Sequence, residues 1–213
     1  MTPARPAAGG GRWVEVEPSR LARWLDGFAQ RHGAPLWAGL VATAPDGARV
    51  ELHPPPGVSA STVEELLAAP APPLGLLLAR QAAVAVGLAT GDRLTASKVD
   101  SSYVQGRTAA GGWSQQRFAR RRVNQAKAAA GSAADIVARI LVPAAGELAA
   151  VVTGGDRRTI DAILTDARLA PVAALRAERF LDVGEPRLAT LEQGLTRARA
   201  VVILVRDPPA ARS

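Results

Sequence analysis

The sequence predicts an α/β protein whose second part forms one mixed sheet in the order βββαβαβα, behind a smaller N-terminal β-α-β-β-α segment. Three observations carry that reading. Apolar runs of strand length begin at Leu74 and follow one another with short polar turns between them. A basic, alanine-rich stretch with helical character then runs from about Ser114 to Leu141. After it, strand-like and helix-like segments alternate as far as Arg199.

Taken in order, MTPARPAAGGGR lacks the apolar segment of a signal peptide, and residues 1–12 read as a disordered tail rich in Pro, Ala and Gly. WVEVE (Trp13–Glu17) alternates apolar and charged side chains like a half-buried strand. Pro18-Ser19 offers a helix start, Leu21, Trp24, Leu25 and Phe28 recur on one face, and Gly33 stops it. Leu36–His53 reads as a hairpin turning at Asp46-Gly47. PPPG at Pro54–Gly57 breaks the chain; a short helix then starts with Ser61 as N-cap and Glu64 three places on. PAPP at Pro70–Pro73 closes a 13–73 segment.

The next domain is expected over 74–205, with 206–213 a flexible tail. LGLLLAR, AAVAVGLATGD and RLTASKVDSSYVQGR read as a meander with turns near Arg80-Gln81 and Gly91-Asp92. The long helix ends at Pro143, and Leu148–Gly155 reads as a buried strand ending in glycines. Asp156–Leu169 reads as an amphipathic helix, Ala173–Arg179 as a short strand, and Arg187–Arg199 as the last helix. AVVILV (Ala200–Val205) reads as buried strand or helix end. Three meandering strands followed by alternating helices and strands match the ribonuclease-H-like order.

The 213 residues suffice to bury a core, which must come from Leu, Val and Ile because only 4% of them are aromatic. A net charge of +7, with arginine far outnumbering lysine, suits a polyanionic partner. A codon bias towards Ala, Arg, Gly and Pro would raise the arginine total equally, but it would not cluster arginines. The lack of cysteine excludes disulfides, thiolate metal sites and cysteine nucleophiles. His32 and His53 are the two histidines, so no histidine-based zinc site, metal or other cofactor is expected. No apolar run of about 20 residues exists to span a membrane, and the expected location is the cytoplasm.

Chemistry concentrates in GRTAAGGWSQQRFARRRVNQAKAAAG (Gly106–Gly131). On a helix, Arg117, Arg120, Arg121, Asn124 and Lys127 share roughly one face. No acidic residue between Arg107 and Lys127 relieves their repulsion, which costs a few tenths of a kcal/mol per pair. Such a stripe points to external phosphates; an ordinary solvated helix would mix Glu among the cations. Gly111-Gly112 permits close backbone approach to a partner. Ser114 can cap the helix, leaving Gln115 and Gln116 in its first turn beside unpaired backbone N–H groups. An amide there can order a water while N–H groups stabilise an oxyanion. On physical grounds alone, a plain glycine turn with a polar helix start is the simpler reading.

GRTAAGGWSQQRFARRRVNQ, with the preceding TASKVDSSYVQGR, resembles the actinobacterial branch of the Vms-like release-factor (VLRF) family. That family is related to the catalytic middle domain of eukaryotic and archaeal class I peptide-release factors. The resemblance implies a ribonuclease-H-like domain that enters the peptidyl-transferase centre of the large ribosomal subunit. There it frees a stalled chain, by hydrolysing the ester of peptidyl-tRNA or by cleaving the tRNA end. Carried over, Gly111 and Gly112 supply the loop glycines and Ser114-Gln115 the Ser-Gln pair. Gln115 is then the catalytic candidate and Gln116 its rival. Trp113 separates the glycines from Ser114 and offers an indole to stack on the terminal adenosine. Arg107, Arg117, Arg120, Arg121, Arg122, Asn124 and Lys127 are the candidate contacts to tRNA and rRNA.

Two rival readings remain. A metal nuclease needs converging carboxylates, yet LGLLLAR has none and Asp92, Asp100, Asp156 and Asp161 are scattered. A non-catalytic tRNA- or rRNA-binding module needs only the basic stripe and the loop.

Overall fold

The computed structural model describes residues 4–80, 83–101 and 115–209, with the backbone alone over 115–124 and at 126. It is a mixed α/β fold with two sheets. The chain divides into two compact units, residues 1–71 with 196–213 and residues 72–195.

The first unit holds β1 (Arg5–Pro6), β2 (Arg12–Val16), α1 (Pro18–His32), β3 (Leu36–Ala38), β4 (Val41–Thr43), β5 (Arg49–His53) and α2 (Val63–Ala68). Its sheet is completed by the last strand of the chain, β11 (Val201–Arg206), in the order β1-β2-β11-β5-β4-β3. Every pairing in it is antiparallel. Val16, Val50, Leu52, Val201, Ile203 and Val205 form one core with Leu21 and Phe28 of α1 and Val63 and Leu66 of α2. The α1 helix begins with Pro at its first position, where a missing N–H costs nothing, and ends at Gly33, whose φ of 84° suits glycine.

Several expectations need correction here. The expected tail over 1–12 is partly a strand: Arg5 and Pro6 pair with Trp13 and Arg12, and Gly9, Gly10 and Gly11 turn the chain at positive φ. Leu36–His53 contains a second tight turn at Gly39-Leu40, so it gives three strands where one hairpin was expected. The cap of α2 is Thr62, not Ser61: its hydroxyl accepts from the Glu65 N–H at 3.2 Å, and the Glu65 carboxylate accepts from the Thr62 N–H at 3.3 Å. Ser61 also donates to that carboxylate through its N–H and its hydroxyl, both at 2.7 Å, which is why the capping pattern reads one residue early. The boundary expected at 205 also shifts. Val201–Arg206 is a strand of the first unit, and the division falls inside the helix before it.

The second unit runs β6 (Leu74–Arg80), β7 (Ala83–Thr90), β8 (Arg93–Ser101), α3 (Gln115–Leu141), β9 (Ala150–Gly155), α4 (Arg157–Leu164), α5 (Ala170–Ala174), β10 (Arg176–Leu181) and α6 (Leu188–Arg199). Its sheet has the order β10-β9-β6-β7-β8, with β10, β9 and β6 parallel and β7 antiparallel to both of its neighbours. The β7–β8 hairpin turns at Gly91-Asp92, with Gly91 at φ 58°.

Side-chain alternation sorts the sheet's two faces. Leu77, Ala79, Val84, Val86 and Val151 join Ile136, Val137 and Leu141 of α3 and Ile160 and Ile163 of α4. On the other face a Cβ at Gly87 would touch Leu191 of α6, and one at Gly194 of α6 would sit near Leu78 and Leu76. The helix expected over 156–169 is broken. It stops at Leu164, and Asp166 caps a fresh 3₁₀ turn at Ala167–Leu169 by accepting from the Arg168 N–H at 3.0 Å. Pro171 then opens α5 near its first position, which pushes the following strand from the expected 173–179 to Arg176–Leu181.

Candidate functional site

Helix α3 carries the site candidates that fall among the described residues. Its 27 residues rise about 40 Å, whereas the 8 residues of β7 beneath it span about 27 Å. The helix therefore outruns the sheet. Its C-terminal part is the anchored one: Ala133, Ala134, Ile136, Val137 and Leu141 are buried at helical spacing, while Asp135 and Arg139 on the opposite side are exposed. Among its described side chains Ala130 is the first to pack on the core, and Gln125, Lys127 and Ala128 are exposed. Leu141 lies at the start of β6, near Gly75, so α3 runs from the carboxyl end of β6 towards its amino end. Its N-terminal part thus stands at the carboxyl end of the parallel strands.

Gln115 is the first residue of α3 and Gln116 the second. Both occupy the turn whose backbone N–H groups have no partner within the helix and carry its positive partial charge. No acidic residue lies in that turn. One unbroken helix sets the phase of everything downstream. Arg117, Arg120, Arg121, Asn124 and Lys127 fall within an arc of about 120°, a single stripe. Arg122 falls about 140° from Arg117 and leaves that stripe. Gln116 is in phase with Arg120 and Lys127, whereas Gln115 is in phase with Arg122. Arg107, Gly111, Gly112, Trp113 and Ser114 lie outside the described residues.

A residue the sequence reading missed braces this helix. Arg168 of the 3₁₀ turn reaches Asp135 on α3 at 2.8 Å and Asp166 at 2.7 Å. The Arg168 guanidinium, and after it the Arg168 backbone N–H, hold the Asp166 carboxyl at about 2, below its ordinary 3.8. Asp166 in turn, with Asp135 behind it, keeps that guanidinium protonated still more firmly. The signal was present as Asp166-Ala167-Arg168, but it sat inside a stretch read as continuous helix.

A lowered carboxyl stabilises the fold above its unfolded value and stops doing so as pH falls through its folded one. Stability contributed by Asp166 is therefore complete above pH of about 4 and lost towards pH of about 2. Urea unfolding between pH 5 and 2 should give a shallower pH profile for Asp166→Asn than for wild type. Superimposable profiles would remove Asp166 from this role.

Two of the carboxylates weighed for metal chemistry, Asp156 and Asp161, have structural occupations. Asp156 caps α4, accepting from the Thr159 N–H and hydroxyl, both at 2.8 Å. Asp161 takes Arg176 at 2.6 Å. Among the described residues no group of three or more His, Asp or Glu side chains could hold a metal ion. Among them, too, no helix is long and apolar enough to cross a membrane.

Comparison with known proteins gives three results. No curated protein matches the sequence. A crystal structure of the archaeal translation termination factor aRF1 is similar at 15% identity and a TM-score of 0.39, covering 87% of this chain and 63% of that one. Another, described as an archaeal protein, is similar at 14% identity and a TM-score of 0.40, covering 85% of this chain and 62% of that one. This chain thus spans less than two thirds of either. The model of the family described as Actinobacteria/chloroflexi VLRF1 release factor matches residues 72–204, from just before β6 into β11. That stretch exceeds half of the chain and includes all of α3, so the protein belongs to the Actinobacteria/chloroflexi VLRF1 release factor family.

Proposed function

We propose that this release-factor-like protein hydrolyses the ester of peptidyl-tRNA on stalled ribosomes, with an amide at the start of α3 as the working group. The observation that carries this reading is a helix anchored at one end and outrunning its sheet at the other, with Gln115 and Gln116 opening it. Such a helix can deliver its first turn into a recess that the body of the domain does not enter. The strand order, with β7 antiparallel between β6 and β8, supports a ribonuclease-H-like topology for the second unit.

The chemistry asked of the protein is modest. An aminoacyl ester is already activated, so water positioned by a carboxamide, with N–H groups facing the developing oxyanion, supplies most of what the step requires. The large-subunit RNA of the peptidyl-transferase centre would form the rest of the cavity. Gln115 or Gln116 holds the water; Ser114 caps the helix; Gly111 and Gly112 shape the loop, with Trp113 as a stacking surface. Arg107, Arg117, Arg120, Arg121, Arg122, Asn124 and Lys127 grip tRNA and rRNA phosphates.

The test is the product formed. Purified protein added to ribosomes holding labelled peptidyl-tRNA should liberate free peptide and a tRNA with an intact 3′ end. A shortened tRNA would replace ester hydrolysis by tRNA cleavage, and no product would leave a binding module. A further expected result concerns salt. With about four phosphate contacts along the stripe, log affinity for the ribosome should fall with log salt at a slope of roughly −3 to −4. A flat response would take the stripe out of the interface.

A further inference from the structure

At the carboxyl end of the parallel strands, three arginines from two elements share a rim. Arg80 ends β6, and Arg157 and Arg158 open α4. All three are exposed. The Arg157 guanidinium lies over the Phe180 ring of β10, 4.0 Å from its centroid, and Arg80 donates to the Val183 carbonyl at 3.1 Å. These contacts orient two of the cations without neutralising them. Elsewhere in the same unit Arg168, Arg176 and Arg187 each sit against a carboxylate. Among the described residues no carboxylate lies within ion-pair distance of Arg80, Arg157 or Arg158. Asp156 feels Arg158 and Arg80, but it is occupied as the cap of α4. Asp182 follows β10 and has partners of its own.

This rim and the basic stripe of α3 lie at one end of one layer. The Asp156 N–H bonds to the Ala79 carbonyl at 2.8 Å, so α4 starts at the carboxyl end of β6. Helix α3 reaches that end with its N-terminal part, and both helices pack on the same sheet face. The shared direction gives one basic end, assembled from chain segments more than twenty-five residues apart.

We infer that Arg80, Arg157 and Arg158 form a second RNA-backbone contact, continuing the track of the α3 stripe across the end of the sheet. The inference rests on the proposed ribosomal function and deepens it. A guanidinium stacked on an aromatic ring keeps its in-plane N–H groups free, and it loses little side-chain freedom on meeting a phosphate. Orientation by neutral groups, without ion pairing, is the arrangement that fits a polyanion rather than internal stabilisation.

Ribosome binding by the full chain, followed across a salt series, tests this. The variant Arg80→Gln/Arg157→Gln/Arg158→Gln should bind about tenfold more weakly, with a log–log slope shallower by about 2, and with release at saturating protein unchanged. Arg120→Gln/Arg121→Gln is the comparison. If the α3 variant weakens binding while the rim variant keeps wild-type affinity and slope, the rim is no contact and the proposed function stands. If neither changes, the proposed binding face falls as well. Arg158→Glu touches neither Phe180 nor Val183. It decides the matter should the triple variant fold poorly: loss of affinity supports the rim, and wild-type binding overturns it.

Discussion

Replacing Gln115 and Gln116 together by alanine is expected to lower single-turnover peptide release by about 100-fold or more, the effect of removing a positioned group that acts only in the transition state. Alanine keeps the helix, since it is the best helix former. The single variants should separate the two amides. Their positions are about 100° apart in helical phase, so they cannot both face one water from a rigid helix. One single variant should account for nearly the whole loss and the other should stay near wild type. Gln116 is in phase with Arg120 and Lys127, Gln115 with Arg122. The variant that fails thus also reports which side of the helix faces the ester. Equal and partial losses would mean that neither amide is the positioned group.

Substituting Gly155 should strongly destabilise the second unit. Gly155 has φ +97°, and a Cβ there would lie 2.2 Å from the Ala79 carbonyl oxygen. Backbone cannot yield as the end of a flexible side chain can. Gly155 pairs with Ala79 at the β6–β9 edge, and the next N–H, of Asp156, bonds to the same carbonyl. Gly154 is constrained too, with its Cβ placed 2.7 Å from the Leu181 carbonyl oxygen. Strain and overpacking together predict a loss of about 4 kcal/mol for Gly155→Ala by urea unfolding. Against a total of about 5–15 kcal/mol, that removes a large share of the stability. Gly131, where a Cβ on α3 would meet nothing within 4 Å, is the control. Gly131→Ala should be neutral or stabilising by up to about 1 kcal/mol. A loss below about 1 kcal/mol at Gly155 would contradict the tight β6–β9 edge.

What the sequence disclosed was local. The span of α3 and the spacing of its basic stripe follow from a run without Pro or Glu that ends at a proline, and the turn at Gly91-Asp92 follows from its composition. Strand pairing over long sequence distance was hidden. AVVILV reads as buried strand or helix end, and nothing within it says that it is a strand whose neighbours are β2 and β5. The strand of Arg5–Pro6 was hidden because proline and glycine suggest a tail. It pairs as a two-residue edge strand, and its Arg5 meets Glu15 at 3.6 Å.

Shifts of one residue arose where neighbouring polar residues compete. Ser61 and Thr62 both bond to Glu65, and only geometry selects Thr62 as the cap. Asp166 ended a helix that amphipathic spacing alone would have continued. The candidate site reads in the sequence as a stripe and a doublet of amides. The arginine rim does not, because β6, α4 and β10 come together only in the folded sheet.

The most direct test of the division of labour on α3 is the protein-concentration dependence of single-turnover release, compared between two double variants. Arg120→Ala/Arg121→Ala should raise the half-saturating concentration by about tenfold and recover the full rate at saturation, because the role proposed for the lost groups is phosphate binding. Gln115→Ala/Gln116→Ala should keep half-saturation within about twofold and lower the plateau by about 100-fold or more. A Gln variant with an undiminished plateau would contradict the account.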